Sequence, residues 1–339
     1  MATITIHDVA REAGVSIATV SKAVNGKGKM RPATRAHVHR VAERLGFRPN
    51  DLALSLHRRR SYTVGLLSND IYGRFALPIL GGVEAALAAR RTSVFLCNAA
   101  DDPETEGRHL ASLLRKRVDG LVFTARRTDS FFPAERTTPP IPVVHVNLEP
   151  RLDGPALLAD DRAGARLGTA HLAALERKRI AHVSGPQGFA AVRLRQAGFE
   201  DALQEAGLEG AGALFGEWSE GWGWEAVARL YQDVPPGKRP DAIFCGSDQI
   251  ARGVVDALCH RGLAVPVDVA IVGFDNWEVL AAATRPPLTT VDPCLEALGV
   301  LAGETLMSMI DGAIEPSGAR LVPCQLMVRA SCGTPRATA

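Results

Sequence analysis

Apolar residues recur at helical spacing through the first fifty residues and then give way to short continuous runs. Ile6, Val9, Ala10 and Ala13 stand at i, i+3, i+4 and i+7 behind Thr5, with Asp8 three residues after that threonine, which predicts one short capped helix. Gly14 supplies a tight turn, and Ser16 caps a second short helix through Ile17-Ala18-Thr19-Val20-Ser21-Lys22-Ala23-Val24. A third helix starts at Pro32, carries Val38, Val41, Ala42 and Leu45 on one face and stops at Gly46. Two short helices across a glycine turn, covered by a third, make an all-α helix-turn-helix headpiece over residues 1–48. Ala10, Gly14, Val20, Val38 and Val41 are then structural, while Ile17, Ala18, Ser21 and Lys22 fall on the outer face of the second helix.

After Arg60 the pattern changes. The runs YTVGLLS, TSVFLCN, GLVFTA, IPVVHVN, RIAHVSG, DAIFCGS and VAIVGFD are each continuously apolar, as strands buried on both faces must be. Between them lie helical stretches such as LPILGGVEAALAARR and DQIARGVVDALCHRG. Strand and helix in alternation predict an α/β body with parallel sheets, residues 61–339. The runs divide near Asp160-Asp161-Arg162 into an N-lobe (about 61–160 and 292–322) and a C-lobe (about 161–291 and 323–332).

The net charge of +2 is uninformative until the chain is cut at residue 60. The first sixty residues hold twelve Lys/Arg against four Asp/Glu, and the remainder 27 against 33. A basic headpiece on an acidic body is what phosphate binding by one domain alone requires. The six cysteines stand singly, without metal spacing, and are expected to be reduced. No apolar run approaches membrane length and no export leader precedes the headpiece, so a cytoplasmic address is expected. Neither a G-x-S-x-G elbow nor a phosphate-binding glycine loop is present, so no enzyme, cofactor or metal is expected. His145, His171 and His182 lie in or beside apolar runs and read as core or helix-surface residues.

Phe47-Arg48-Pro49-Asn50 closes the headpiece, and Asn50 can cap a further short helix with Leu52, Ala53 and Leu56 on one side, before Arg58-Arg59-Arg60. Eight residues are too few for a stable isolated helix. The run ITIHDVAREAGVSIATVSKAVNG with GFRPNDLALSL resembles the lactose-repressor (LacI/GalR) family of transcription regulators. That resemblance makes residues 49–60 a hinge that folds on operator DNA, with Leu56 wedged into the minor groove beside Ala53. It puts base-reading side chains on Ile17, Ala18 and Lys22, with further DNA contacts expected from Thr5, Ser16, Ser21, Asn25 and Asn50. Lysine at 22 departs from the arginine common there, exchanging a bidentate guanine contact for a point donor. Arg31 departs from the small polar cap usual before the third helix, which predicts a frayed start with Arg31 near phosphate.

The body resembles the two-lobed periplasmic sugar-binding fold, in which ligand sits at strand C-terminal ends between lobes. The strand ends here are polar: Asn69, Asn147, Ser247 and Asp275 among them. The resemblance implies ligand contacts from Phe75, Asn147, Arg195, Trp218, Ser247 and Asp275. Trp222, Trp224 and Trp277 add further rings near the expected cleft, and Asp248 could equally cap the helix after it. The implied function is a homodimeric repressor released from a near-palindromic operator in double-stranded DNA by a sugar bound between the lobes. The alternatives are a nucleoside or purine sensor on the same fold, a regulator that acts with a co-repressor instead of being released by its ligand, and a free-standing transport-binding protein. The last needs a leader and no basic headpiece.

Overall fold

The computed structural model describes residues 4–24, 28–47, 60–130, 139–149, 154–314 and 317–333. The chain forms two compact units, Met1–Ser61 and Tyr62–Ala339.

In the first unit, α1 (Ile6–Ala13), α2 (Ile17–Val24) and α3 (Pro32–Leu45) enclose Val9, Ala10, Ala13, Val20, Ala23, Val38, Val41 and Ala42. The Asp8 carboxylate accepts from the Thr5 amide at 3.0 Å and the Thr5 hydroxyl at 2.7 Å, which starts α1. These two bonds hold the Asp8 pKa below the usual carboxylate range. Gly14 ends α1 at φ +62, a left-handed conformation that lets the Val15 amide reach the Ala10 carbonyl at 3.1 Å. Ser16 Oγ accepts from the Thr19 amide at 3.1 Å and opens α2. Arg31 precedes Pro32 in extended backbone and makes no side-chain cap, so α3 begins without one.

The second unit contains two six-stranded sheets. The first is ordered β11-β5-β4-β3-β1-β2, with β1 Thr63–Ser68, β2 Ser93–Asn98, β3 Gly120–Thr124, β4 Val143–Val146, β5 Pro155–Ala159 and β11 Gly318–Val322. The second is ordered β12-β10-β9-β8-β6-β7, with β6 Ile180–Ser184, β7 Ala213–Phe215, β8 Ala242–Cys245, β9 Ala270–Phe274, β10 Thr289–Asp292 and β12 Gln325–Met327. Every pairing is parallel except β12 on β10. Each sheet carries its own core. Val64, Leu66, Val122 and Val144 pack under α4 (Ala76–Ala88) and α11 (Leu295–Ile310), while Val183, Ile243 and Ile271 pack under α8 (Glu220–Tyr231) and α9 (Asp248–His260). On the other face of the second sheet, α6 (Asp161–Ala174) and α7 (Ala190–Ala206) cover Phe244, Val272 and Phe274. The remaining helices are α5 (Pro103–Arg115) and the single turn α10 (Glu278–Ala281).

The chain passes between the sheets three times: from β5 to α6, from β10 to α11 and from β11 to β12. The first and third of these crossovers are tied together by the Asp160 amide on the Val322 carbonyl at 2.9 Å.

One expectation is corrected. TSVFLCN is not a doubly buried strand: it is the outer strand β2, with Phe95 and Leu96 exposed. β5 and β7 are not among the runs expected to be strands, and β7 is only three residues long. The histidines are core residues in two cases. His182 is buried among Phe199, Phe215 and Phe244, and desolvation pushes its pKa down to about 4. His145 is buried against Phe123, and the half-buried His171 contacts the Cys332 sulfur at 3.2 Å. No helix of the described residues is long and apolar enough to cross a membrane.

Candidate functional site

On the headpiece, the face of α2 turned away from the core carries Ile17, Ala18 and Lys22, all exposed, with Ser21 half-buried at its edge. Ile17 is a large apolar side chain 43% open to solvent, beside the exposed Ala18 and Lys22. Thr5, Ser16 and Arg31 are also exposed, the first two serving as helix starts. A short helix presenting apolar, hydroxyl and cationic groups on one face matches what a major groove offers, namely thymine methyls, donors and acceptors. Asn25, Asn50, Ala53 and Leu56 lie outside the described residues.

In the second unit the C-terminal ends of the strands of both sheets converge on a cavity of about 710 Å³. The N-lobe wall comes from the loops after β1 (Asp70 to Phe75), β3 (Arg126 to Asp129) and β4 (Asn147). The C-lobe wall comes from Asp161, Phe189, Arg195, Trp218, Ser247, Gln249, Asp275 and Trp277. A doubly wound sheet opens its strands' carboxyl ends outward, so the loops of the two lobes face each other there.

Arg195 organises the C-lobe wall. Its Nε donates to Asp161 Oδ1 at 2.7 Å, its Nη1 donates to the Gly246 carbonyl at 2.5 Å, and Nη1 stands 3.6 Å from Asp275 Oδ1. The guanidinium lies over the Phe274 ring at 3.6 Å. Desolvation would lower its pKa, but Asp161 and Asp275 prevail and raise it. Asp275 is a carboxylate only 5% exposed, and burial pushes its pKa up against the pull of Arg74 and Arg195. Arg74 reaches it from the other lobe, with Nη2 donating to Asp275 Oδ2.

Aromatic rings line the same space. Trp218 stands edge-on to Phe189 with centroids 5.9 Å apart. A methyl group at Gly185 would come within 2.3 Å of the Trp218 ring, so glycine at the end of β6 is what lets the indole lie there. Trp277 and Phe75 flank Arg74. Polar groups beside apolar ring faces are the composition of a carbohydrate or nucleoside site.

A second set of contacts crosses the cleft. Arg127 pairs with Asp129 at 2.9 Å and stacks on Phe189 at 3.8 Å, while Asp129 Oδ2 accepts from the Ala190 amide at 3.2 Å.

Of the residues expected from sequence, Phe75, Asn147, Arg195, Trp218, Ser247 and Asp275 line one cavity. Asn147 donates from Nδ2 to the Ala125 carbonyl at 2.8 Å, and Ser247 Oγ accepts from the Ile250 amide at 3.2 Å, so both arrive partly engaged. Asn69 is corrected: it is not part of the lining, and its carboxamide oxygen accepts from the Arg126 amide at 3.0 Å, fixing the loop after β3. Ser247, not Asp248, caps α9. Asp248 is buried instead, accepting from the Trp277 amide at 2.7 Å and the Thr290 hydroxyl at 2.5 Å. Trp222 belongs to the core, donating from Nε1 to the Ser184 carbonyl at 2.9 Å, and Trp224 lies exposed on α8. Sequence reasoning missed Arg74, Arg126, Arg127, Asp129, Asp161 and Phe189. Arg126 and Arg127 follow GLVFTA directly, so attention to polar strand ends could have found them.

The chain matches the family model described as bacterial regulatory proteins, lacI family, over residues 5–50, and the periplasmic binding protein-like domain over residues 169–332. It is 33% identical over 332 residues to catabolite control protein A of Priestia megaterium, an alignment spanning 97% of this chain and 99% of that one. The ribose operon repressor of Escherichia coli (strain K12) is 34% identical over 313 residues, spanning 90% and 93%. The lac repressor dimer solved with operator and the anti-inducer ONPF superposes with a TM-score of 0.82 at 26% identity, covering 98% of this chain and 100% of that one. With the α2 face, the strand-end cavity and matches that run the length of the chain, the protein belongs to the lacI family of bacterial regulatory proteins.

Proposed function

We propose that this protein is a transcriptional repressor that binds a near-palindromic operator as a homodimer and releases it when a sugar-like effector occupies the cleft between its lobes. The observation that carries the effector half is the convergence of Arg195, Asp275, Asn147, Phe75 and Trp218 on one cavity of about 710 Å³, inside the size range of small-molecule sites. The DNA half rests on the outer face of α2 and on the basic first sixty residues. Ile17, Ala18 and Lys22 read base edges, Ser21 supports them, and Thr5, Ser16 and Arg31 sit toward phosphates. Asn25, Asn50, Ala53 and Leu56 complete the interface by their motif positions. The names of the relatives support this reading, since they include operon repressors and a repressor dimer bound to operator.

The effector acts by biasing two arrangements of the lobes. Only three crossovers join the sheets, so ligand contacts made by both walls favour one lobe arrangement over another. Reciprocity of linkage then requires that DNA and effector oppose each other if each prefers a different arrangement. Dimer formation is supported by apolar side chains left uncovered on the N-lobe: Phe95 and Leu96 on outer strand β2, and Leu77 in the first turn of α4. Its place of action is the cytoplasm, where the chromosome is, and its role is regulation rather than catalysis.

The test is selection of bound duplexes from a random pool by the full-length chain. Enrichment of sequences with two inverted half-sites is expected. Retention of DNA without any sequence enrichment contradicts the reading.

A further inference from the structure

Asp275 is held from both lobes, and its two arginines are not equivalent. Arg195 keeps a second carboxylate, Asp161, and a backbone carbonyl, so it stays paired whatever happens at Asp275. Arg74 has no such reserve. Among the described residues its ion pair and its side-chain hydrogen bond both go to Asp275, and its Nε is buried without an acceptor. The guanidinium is held between the Phe75 ring, 5.1 Å from its carbon, and the Trp277 ring at 4.8 Å, with the side chain 14% exposed.

A molecule that uses Asp275 as an acceptor for its hydroxyls takes the place of Arg74 Nη2. Asp275 remains neutralised by Arg195 after the exchange. Arg74 is left worse off: it becomes a nearly buried cation between two rings with no hydrogen-bonded anion, which is costly. A ligand that brings its own negative charge to Arg74 removes that cost, and a neutral one does not. The second cation on the same wall, Arg126, has its nearest carboxylate, Asp101, at 3.9 Å, with both side chains half-exposed, so it too is weakly neutralised.

Taking the cleft as an effector site, we propose that its ligand is a carboxylate-bearing sugar, an aldonate or a uronate, that inserts into the Arg74–Asp275 pair. The carboxylate takes the place of Asp275 on Arg74 Nη2, and the neighbouring hydroxyl donates to Asp275. A donor fork beside an acceptor is the complement of a hydroxyl next to a carboxylate. A phosphate dianion would set its second charge against the buried Asp275 carboxylate, which favours a monoanionic carboxylate. Arg74 is thus the residue that sets specificity, and in the absence of ligand it fills the subsite with its own side chain.

The experiment is calorimetric and thermal-shift titration of the full-length protein with D-gluconate, D-galactonate, D-glucuronate and D-galacturonate, each beside neutral D-glucose or D-galactose, with D-glucose 6-phosphate as the phosphate arm. At least one sugar acid is expected to bind at least about tenfold more tightly than its neutral parent, the size of one charge-assisted hydrogen bond. Arg74→Gln is expected to erase that preference, and Arg74→Lys, which keeps the charge, to retain part of it. Acid binding unchanged in an Arg74→Gln protein that melts like the parent overturns the proposal. Tighter binding of the phosphate than of every carboxylate overturns the choice of anion. A neutral sugar or nucleoside that binds and alters operator affinity while the acids do not overturns the proposal and leaves the regulatory reading standing. Silence from every compound overturns it as well, and the regulatory reading is then judged on operator selection alone.

Discussion

Arg195 and Asp161 form a buried ion pair, Nε to Oδ1 at 2.7 Å, that fastens α7 to the first residue of α6 at the floor of the cleft. The Arg195 and Asp161 side chains are 9% and 4% exposed, so neither can turn to water if the other is removed. Arg195→Ala is therefore expected to destabilise the second unit by about 3–5 kcal/mol, because it leaves an uncompensated carboxylate in the interior. Urea denaturation followed by far-ultraviolet circular dichroism measures this. A loss under about 1 kcal/mol, the scale of an exposed pair, contradicts the account of the cleft floor.

Asp248 supplies a pH dependence. Burial first, and the Asp275 carboxylate second, push its pKa up to about 8 from its ordinary value of 3.8. A carboxyl group whose folded pKa is raised holds its proton better in the folded state, so its contribution is complete below about 4 and is lost as pH rises through about 8. Melting temperatures are expected to fall across that window, and Asp248→Asn, which stays neutral, is expected to flatten the fall. An identical profile in the two proteins contradicts the assignment.

Gly185 makes room for Trp218. A Cβ there comes within 2.3 Å of the indole ring, which has to move or force the backbone to move. Gly185→Ala is expected to cost about 1–3 kcal/mol, as overpacking does, and to weaken effector binding by displacing the ring from the cleft. Tryptophan fluorescence titrated with effector reads both changes. Unaltered affinity and stability place Trp218 outside the site.

Lys22 stands exposed on α2 and is expected to act as a single charged donor to a base edge. Lys22→Ala should cost about 1–3 kcal/mol against the selected operator and relax discrimination at one position of each half-site. Lys22→Arg should instead sharpen preference for guanine there, since arginine forks onto two acceptors. Uniform weakening on all sequences, with a shallower salt dependence, reassigns Lys22 to phosphate.

Much of this was legible before any coordinates. The headpiece could be drawn from Thr5, Gly14, Val20 and Val38 because capping, turn geometry and helical spacing are local properties. The cavity floor was legible for a different reason: the resemblance implied ligand contacts at Arg195 and Asp275 by motif position, and both line the cavity. Arg74 was not legible. It lies in a loop that returns to the cleft only because Asp70 turns back to accept the Phe75 and Ala76 amides at 2.7 and 3.0 Å, starting α4 there. Asn69 misled for a related reason. A polar residue at a strand end can face ligand or bind the next loop, and spacing does not separate the two. The tryptophans needed packing as well, since Trp218 meets the space beside Gly185 while Trp222, four residues on, packs against Gly216 and the core.

The most direct measurement is fluorescence anisotropy of a selected, labelled operator held by the full-length protein, titrated with each compound that raises the melting temperature. The account predicts that such a compound lowers anisotropy to the free-DNA value and that Asp275→Asn abolishes its effect. Ligands that stabilise the protein yet leave operator bound at every concentration contradict it.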